Sequence, residues 1–125
     1  MPGKLLVVDD DYLTRTAISV FLSQESYEVT SVPNGIEATK QLSVDSFDLV
    51  LSDFNMPGMD GLTLAEHISR VAPRTAIIIM SGSADIKNLT TVGGIDLIEK
   101  PIHLEKLLAR IERAFARIEN CDSLV

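Results

Sequence analysis

The chain has few of the residues that mark several protein classes. None of its 125 residues is tryptophan, only 5% are aromatic, and Cys121 is the single cysteine. One cysteine cannot form an internal disulfide or share a thiolate metal site, so we interpret Cys121 as an incidental thiol. The longest apolar stretches, such as Leu5 to Val8 and Ala76 to Met80, fall far short of the roughly 18 residues that span a bilayer. We therefore expect no contact with a membrane.

Positive charge is also scarce. The chain has 11 lysine and arginine residues against 18 aspartate and glutamate residues, which gives a net charge of −7. Nucleic-acid binding depends on clustered lysine and arginine, so this charge argues against nucleic acid as a direct partner. The first residues, Met1 to Lys4, lead straight into an apolar run without the pattern of a signal peptide. We therefore expect a cytoplasmic protein.

The length and composition are those of one globular domain. Hydrophobic residues make up 46% of the chain and charged residues 23%, which is ordinary for a folded domain. A chain of 125 residues can build one sizeable core and is too short for two. We predict one domain over residues 1–119, followed by a flexible tail over residues 120–125. Any output activity would then lie outside this domain.

Five short apolar or β-branched runs alternate with segments that are long enough for helices. The runs are Leu5–Val8, Glu28–Val32, Leu49–Ser52, Ala76–Met80 and Asp96–Glu99. This alternation predicts βαβ units and a parallel sheet. The second and fifth runs carry polar residues, as edge strands do. With five strands, these edges favour the order 2-1-3-4-5 of the flavodoxin-like, doubly wound (βα)5 fold.

Helical spacing of apolar residues is clearest near the two ends of the chain. In the first helix the spaced residues are Leu13, Ala17, Val20 and Phe21. The last helix carries a long stripe that we expect to be core, formed by Leu104, Leu107, Leu108, Ile111, Phe115 and Ile118. The fourth helix has only residues 86 to about 92 before Gly93-Gly94, so we expect it to be short or irregular. Asp11 is predicted to cap the first helix.

Acidic side chains end the two strands that are predicted to lie at the centre of the sheet. Asp9 and Asp10 follow the first strand, and Asp53 ends the third. In a doubly wound sheet, ligands bind at the carboxyl ends of the strands near this switch point. Three carboxylates held together repel each other, and a cation relieves the repulsion. A site made of Asp10, Asp53 and one backbone carbonyl would suit Mg²⁺.

Two further strand ends supply groups that a phosphoryl group needs. Ser81 follows the fourth apolar run, and Lys100 follows the fifth. A serine hydroxyl can donate a hydrogen bond to a phosphoryl oxygen, and a lysine ammonium can offset the negative charge that spreads over that group during transfer. The same edge of the sheet therefore combines metal ligands with phosphoryl-binding groups.

Four motifs in chain order carry a resemblance to a known family. They are Val7-Val8-Asp9-Asp10, the run Asp-Phe-Asn-Met-Pro-Gly-Met-Asp-Gly from Asp53 to Gly61, Ser81-Gly82 and Lys100-Pro101. Over nearly the whole chain they resemble the receiver domains of two-component response regulators, which include the chemotaxis receivers. The resemblance implies a phosphoacceptor signalling domain. Such a domain is not an enzyme for other substrates, since it catalyses only its own phosphorylation and slow dephosphorylation.

The resemblance also implies a role for each site residue. Asp10, Asp53 and the backbone carbonyl of Asn55 would hold Mg²⁺, and Asp9 would act through a coordinated water. Asp53 would be the nucleophile that attacks the phosphohistidine of a sensor histidine kinase or a phosphotransfer protein, which gives an aspartyl phosphate.

Further residues would act after the transfer. Ser81 would bind a phosphoryl oxygen, Lys100 would pair with the phosphorylated aspartate, and the peptide bond between Lys100 and Pro101 would be cis. Asn55 and Ser83 would tune the rate of dephosphorylation.

Two features depart from the family pattern. Many receivers have tyrosine or phenylalanine three residues before the lysine, where this chain has Leu97. Leucine has no ring to move between core and water, so the sequence does not support the usual aromatic switch. Ser81 and Lys100 are 19 positions apart, about one helical turn fewer than we expect. Related domains dimerise or dock an output domain through helix four, strand five and helix five, which is the face that these changes alter.

Alternative interpretations remain at this stage. A haloacid-dehalogenase-like phosphatase would use Asp9 as its nucleophile in the Asp-x-Asp spacing of Asp9-Asp10-Asp11, but this leaves the loop after Asp53 unexplained. A pseudo-receiver would dock partners without phosphorylation, against which stands the full set of acidic, hydroxyl and lysine positions. A flavodoxin-like flavin carrier would need a phosphate-binding loop after the first strand, which the sequence lacks.

Overall fold

Five strands and four helices alternate along the part of the chain that the computed structural model describes, residues 3–82 and 95–123, with side chains to residue 118. In chain order they are β1 (Lys4–Val8), α1 (Tyr12–Gln24), β2 (Glu28–Val32), α2 (Gly35–Val44), β3 (Leu49–Asp53), α3 (Gly61–Val71), β4 (Ala76–Ser81), β5 (Asp96–Glu99) and α4 (Leu104–Ser123). The strands agree with the sequence prediction to within one residue at either end. The helix predicted over residues 86 to 92, and Ser83, lie outside the described residues.

All five strands run parallel in one sheet, in the order β2-β1-β3-β4-β5. This confirms the flavodoxin-like order predicted from the sequence. In β1, Val8 is the partner of Val32 on one side and of Ser52 on the other. Every residue of β3 is buried, whereas β2 and β5 expose residues to water. The prediction of β2 and β5 as edge strands is therefore confirmed.

Helices cover both faces of the sheet, because the central strands are apolar on both sides. One layer contains residues of α2 and α3 against the strands: Leu6, Val8, Val50, Ile77 and Ile79 with Ala38, Leu64, Ala65 and Ile68. The other contains residues of α1 and α4: Leu5, Val7, Leu49, Leu51, Ile78 and Met80 with Ile18, Leu22, Leu107 and Ile111. Successive strand residues point to opposite faces, so each apolar run contributes to two cores.

Helix α1 is confirmed, but it buries a different face from the one that the sequence indicated. Ile18 and Leu22 are the buried residues of this helix, whereas Leu13 is 75% exposed and Val20 is 52% exposed. The run from Ala17 to Leu22 places apolar residues on several sides of the helix. Spacing alone therefore cannot select the side that meets the sheet.

The apolar stripe of α4 lies against the core as predicted. Leu107 and Ile111 are fully buried, and Leu104, Leu108 and Phe115 pack against the same cluster. The helix continues to Ser123, past residue 119 where we placed the end of the domain, and that boundary stays a prediction. Within residues 3–82 and 95–123, no helix combines the length and the apolar character that crossing a membrane requires.

A capping side chain precedes each of the first three helices. Asp11, Asn34 and Asp60 stand before α1, α2 and α3, and each accepts a hydrogen bond from a backbone N–H three residues later. The distance is 2.9 Å from Glu37 N to Asn34 Oδ1 and 2.8 Å from Thr63 N to Asp60 Oδ1. Each cap pairs one of the N–H groups that a helix start leaves without a partner. The predicted role of Asp11 is therefore confirmed.

Lys4 joins the amino ends of three strands. Its ammonium forms ion pairs with Asp45 and with Glu28, the latter at 3.4 Å, and lies 5.5 Å from the centre of the Phe47 ring. Its backbone N–H donates to Asp48 Oδ2 at 2.8 Å. The first residue of β1 is thus tied to β2 and to the connection that leads into β3.

The Asn34 cap can be tested by substitution. We expect Asn34→Ala to lower the free energy of unfolding by about 1 kcal/mol, because the N–H of Glu37 loses its acceptor. Asn34→Gly should cost only a few tenths of that amount, since glycine leaves the same N–H accessible to water. Urea unfolding followed by circular dichroism measures both values. Equal losses in the two variants would show that the side-chain cap is not the source of the effect.

The ion pair between Lys4 and Asp45 should make stability depend on pH. Hydrogen bonds from the Lys4 ammonium and from the Ser46 N–H lower the pKa of Asp45 below its ordinary value of 3.8. Because its folded-state pKa is below the unfolded value, this carboxylate stabilises the fold above the ordinary pKa. That contribution is lost as the pH falls from the ordinary value of 3.8 through the lowered folded-state pKa. We therefore expect Asp45→Asn to be less stable than the wild type at neutral pH and equally stable once the pH lies below that lowered pKa, where the carboxyl group is protonated in both the folded and the unfolded state.

The matched control for this pH series is Glu66→Gln. Glu66 is exposed in the middle of α3 and has no ion-pair partner in the part of the chain that the structure describes. Urea midpoints for the wild type and both variants across the pH range provide the comparison. The interpretation would be wrong if the stability deficit of Asp45→Asn did not shrink as the pH falls below 3.8.

Candidate functional site

The carboxyl ends of β1 and β3 bring three acidic side chains together. Asp9 and Asp10 directly follow β1, and Asp53 is the last residue of β3. One carboxylate oxygen from each of the three lies within 4.8 Å of the other two. Asp9 is 1% exposed and Asp53 is 5% exposed, whereas Asp10 faces water. The sequence prediction that these three residues form one cluster is therefore confirmed in geometry.

Asp9 is fixed by its surroundings except at one oxygen. Its backbone N–H donates to Val32 O at 3.2 Å, and its Oδ1 accepts from Asp11 N at 2.9 Å. Its Oδ2 is buried and has no hydrogen-bond donor among the described residues. Burial raises the pKa of Asp9, and the negative charges of Asp53 and Asp10 raise it further. One buried carboxylate oxygen is thus left without a partner beside two other acids.

Arg15 contacts this cluster through the backbone, which the sequence did not lead us to predict. Its Nη1 donates to the carbonyl oxygen of Asp9 at 2.7 Å. The guanidinium carbon also lies 5.5 Å from the centre of the Tyr12 ring. A basic residue in the first turn of a helix that follows an acidic triplet is the only sequence signal for this contact, and it is a weak one.

Lys100 provides the positive charge that contacts Asp53. Its Nζ lies 2.7 Å from Asp53 Oδ1, with the lysine side chain partly exposed and the aspartate buried. Lys100 reaches this position because its backbone N–H donates to Ser81 O at 2.8 Å. The bond between Lys100 and Pro101 is cis, as predicted. The buried carboxylate of Asp53 is therefore paired with the ammonium of Lys100.

Ser81 ends β4 beside the acidic cluster. It follows Met80, whose Cα is paired with that of Asp53, and it is only 1% exposed. Its hydroxyl makes a long contact of 3.4 Å to Gly82 O, so it is weakly held. Ser52 is a second buried hydroxyl, which we did not predict, and it donates to Asp53 O at 2.9 Å. The Ser52 hydroxyl is thus held by a normal hydrogen bond, whereas the Ser81 hydroxyl is held only weakly.

The loop after β3 is held closely against Asp53. Phe54 N donates to Met80 O at 2.9 Å, and Gly61 N donates to Phe54 O at 2.8 Å. A Cβ atom on Gly61 would lie 2.6 Å from Asp53 O and 2.9 Å from Phe54 Cα, which no side chain can tolerate without moving the backbone. Gly61 therefore allows α3 to begin directly beside the end of β3.

The same loop turns sharply before it reaches α3. Gly58 has a φ of 83°, a conformation that favours glycine, and Met56 is buried in the core. Asn55 lies between Phe54 and Met56 and is exposed. Its predicted role as a backbone-carbonyl ligand stays a prediction.

The oxygen atoms of the acidic cluster fit a hard divalent cation. Mg²⁺ binds a few carboxylates together with water and phosphate oxygens, and the three clustered carboxylates supply such oxygens. One oxygen of Asp9, Oδ2, has no hydrogen-bond donor among the described residues and is therefore available as an acceptor. A divalent charge would also relieve the repulsion that raises the pKa of Asp9. The donor set therefore suits Mg²⁺.

The amino end of β5 is held by an arginine of α4. Arg110 Nη1 lies 2.7 Å from Asp96 Oδ1 and 3.0 Å from Leu97 O. Leu97 is half-buried and packs against the core layer of α2 and α3. The position at which many receivers have an aromatic residue is therefore occupied by a packed leucine whose carbonyl is tied to α4.

Sequence and structure comparisons agree with this geometry. A family model described as the response regulator receiver domain matches residues 5–112. The chain is 36% identical over 119 residues to the transcriptional regulatory protein CrdR of Helicobacter pylori, covering 92% of this chain and 56% of CrdR. It is 32% identical over 120 residues to the DNA-binding transcriptional regulator NtrC of Escherichia coli, covering 94% of this chain and 26% of NtrC.

A solved structure shows the same fold. The response regulator receiver domain protein from Clostridium thermocellum matches with a TM-score of 0.86 and 26% identity, covering 98% of this chain and 99% of that chain. In contrast, the chain spans about half the length of CrdR and about a quarter of NtrC. The family match over most of the chain, with its five-stranded fold and acidic cluster, shows that this chain belongs to the response regulator receiver domain family.

Proposed function

We propose that Asp53 is the phosphoacceptor of this receiver domain. The observation that carries the proposal is the buried Asp53 carboxylate, which is 2.7 Å from Lys100 Nζ and within 4.8 Å of the oxygens of Asp9 and Asp10. An oxygen of Asp53 attacks the phosphorus of a phosphohistidine, so that a P–O bond forms as the N–P bond breaks. The histidine nitrogen keeps the electron pair of the broken bond and takes up a proton. The product is an aspartyl phosphate.

The metal ligands of this proposal are Asp10, Asp53 and the carbonyl of Asn55, with Asp9 acting through a coordinated water. When bound there, Mg²⁺ supplies positive charge to the oxygens of the transferring group. Asp9 and Asp10 approach the ion from the end of β1, and Asp53 approaches it from the end of β3. The short distances between their oxygens support this assignment.

Lys100 and Ser81 are proposed to bind the phosphorylated state. Lys100 offsets the charge of the aspartyl phosphate, as it already pairs with Asp53. Ser81 donates its hydroxyl to a phosphoryl oxygen, which is possible because its present contact is long, at 3.4 Å. Asn55 and Ser83 are proposed to tune the slow dephosphorylation that the domain catalyses on itself, and it acts on no other substrate.

The proposed donor is a sensor histidine kinase or a phosphotransfer protein. The α1 helix begins beside the acidic cluster and exposes apolar side chains there: Tyr12 is 66% exposed and Leu13 is 75% exposed. A partner that brings its phosphohistidine to Asp53 would cover these residues. The phosphorylated domain would then change its interaction with an output domain or with a second copy, through the surface of β5 and α4 together with the predicted short helix.

Three further expectations belong to this proposal. The domain is proposed to be cytoplasmic, to occupy residues 1–119 with a flexible tail after them, and not to bind nucleic acid itself. The net charge of −7 supports the last point.

Phosphorylation of Asp53 can be tested with a small phosphodonor. We expect wild-type protein incubated with acetyl phosphate and Mg²⁺ to gain the mass of one phosphoryl group, and Asp53→Asn to gain none, because an amide is not a nucleophile for this transfer. Intact-mass spectrometry measures the gain, and removal of Mg²⁺ with EDTA should abolish it.

The control variant for this experiment is Asp9→Asn. It should still be phosphorylated, although more slowly, since Asp9 acts through water. Label on Asp53→Asn combined with its loss in Asp9→Asn would favour a haloacid-dehalogenase-like phosphatase. No label on the wild type would favour a pseudo-receiver.

The repulsion at the acidic cluster predicts that Asp9→Asn stabilises the protein. Without Mg²⁺ at neutral pH, we expect its free energy of unfolding to exceed that of the wild type, because burial and the neighbouring negative charges both disfavour the charged form of Asp9. An asparagine oxygen still accepts from Asp11 N, while one of three crowded charges is removed. Adding Mg²⁺ should stabilise the wild type more than the variant, because only the folded site binds the ion.

Urea unfolding with EDTA and with MgCl₂ measures both effects. Asp60→Asn is the matched control, because it removes an acidic charge outside the cluster and asparagine still caps α3. A loss of stability in Asp9→Asn without Mg²⁺ would contradict the predicted repulsion.

A further inference from the structure

We propose that Arg15 is a positioning residue that holds the peptide unit between Asp9 and Asp10 in the orientation that metal binding requires. This inference rests on the proposed function, since it concerns the two acids that are proposed to hold Mg²⁺ from the end of β1. Arg15 belongs to α1 and does not contact the carboxylates in its own right. It acts through the backbone that carries them.

The geometry of the contact supports this role. Arg15 Nη1 donates to Asp9 O at 2.7 Å, a distance typical of a strong hydrogen bond from a charged donor. The carbonyl of Asp9 belongs to the planar peptide unit that joins it to Asp10. Fixing that carbonyl therefore fixes the direction in which the chain leaves Asp9 and the position from which the Asp10 side chain projects.

The other hydrogen bonds of Asp9 do not involve its carbonyl oxygen. The N–H of Asp9 is held by Val32 O, and its Oδ1 is held by Asp11 N. The second of these contacts spans the peptide unit between Asp9 and Asp10 but does not hold its carbonyl oxygen, so without Arg15 that unit would be freer to rotate. Such a rotation would move the Asp10 carboxylate relative to Asp53, and the three oxygens would no longer face one point.

Arg15 is itself held in place at both ends. Its backbone N–H donates to Asp11 O at 2.9 Å in the first turn of α1, and its guanidinium lies against the exposed Tyr12 ring at 5.5 Å. Arginine is suited to this task because its planar fork loses little freedom for each hydrogen bond that it forms. The residue therefore links the exposed start of α1 to the metal-binding loop.

Electrostatics alone predicts the opposite effect of removing Arg15. A positive charge near a divalent cation disfavours binding of that cation, so neutralising Arg15 would tighten Mg²⁺ binding if charge were all that mattered. A positioning role predicts weaker binding, because groups that orient metal ligands commonly contribute about 10-fold or more to affinity. The sign of the change thus separates the two possibilities.

The experiment is a titration of the full chain with MgCl₂. The chain contains no tryptophan, so isothermal titration calorimetry is the suitable method. We expect Arg15→Gln to raise the Kd for Mg²⁺ about 10-fold, and Arg15→Lys, which keeps a charged donor, to fall between that value and the wild type. Arg113→Gln is the matched control, because it removes an exposed arginine from α4 and should leave the Kd within about two-fold of the wild type.

Unfolding measurements separate positioning from general stabilisation. A purely structural role would lower the unfolding midpoint of Arg15→Gln equally with and without Mg²⁺, whereas positioning reduces the stabilisation that Mg²⁺ adds. If Arg15→Gln does not fold, Arg15→Met serves instead, since it keeps the apolar stem beside Tyr12 and should show the same 10-fold loss.

The possible outcomes distinguish this inference from the proposed function. Mg²⁺ binding by Arg15→Gln or Arg15→Met that equals or exceeds that of the wild type would overturn the positioning role and leave the metal site intact. A wild-type protein that binds no Mg²⁺ would overturn both.

Discussion

The repulsion among three carboxylates at the switch point of the sheet is the constraint on which the site depends. The strand order places the end of β1 beside the end of β3, and this brings Asp9, Asp10 and Asp53 within 4.8 Å of each other. Lys100 offsets part of that charge through its contact with Asp53, while Asp9 keeps a buried oxygen without a donor among the described residues. Among the described residues, the negative charge of this cluster is therefore only partly offset.

The two ends of the sheet differ in whether their acidic side chains have partners. At the amino end, Lys4 pairs with Asp45 and Glu28 and so ties β1 to its neighbours. At the carboxyl end, acids cluster with fewer partners. Apolar packing on both faces of the sheet supplies the stability that allows this imbalance. The acids around Lys4 thus each have a partner, whereas one buried oxygen of the Asp9 carboxylate has none among the described residues.

Much of this could be predicted from the sequence, because strands and strand ends leave strong local signals. The apolar runs around Val7 and Leu51 predicted the two central strands, and the acidic residues that follow them predicted the cluster. The inward face of α1 could not be predicted, since apolar residues lie on several sides of that helix. Only packing against the sheet selects Ile18 and Leu22 as the buried residues. Arg15 was missed for a related reason: its contact is with a backbone carbonyl, and the sequence does not encode such a partner.

The close approach of Gly61 to the end of β3 determines where the site can yield. With no Cβ between them, α3 starts against the carbonyl of Asp53, and a side chain at Gly61 would meet backbone atoms within 3 Å. This contact between the start of α3 and the end of β3 is rigid, because both of its sides are main chain. A group added to the Asp53 side chain, as proposed, would instead meet Lys100 and the weakly held hydroxyl of Ser81, which belong to side chains that can rearrange. Under the proposed function, the groups that would receive the added charge are therefore side chains that can change rotamer.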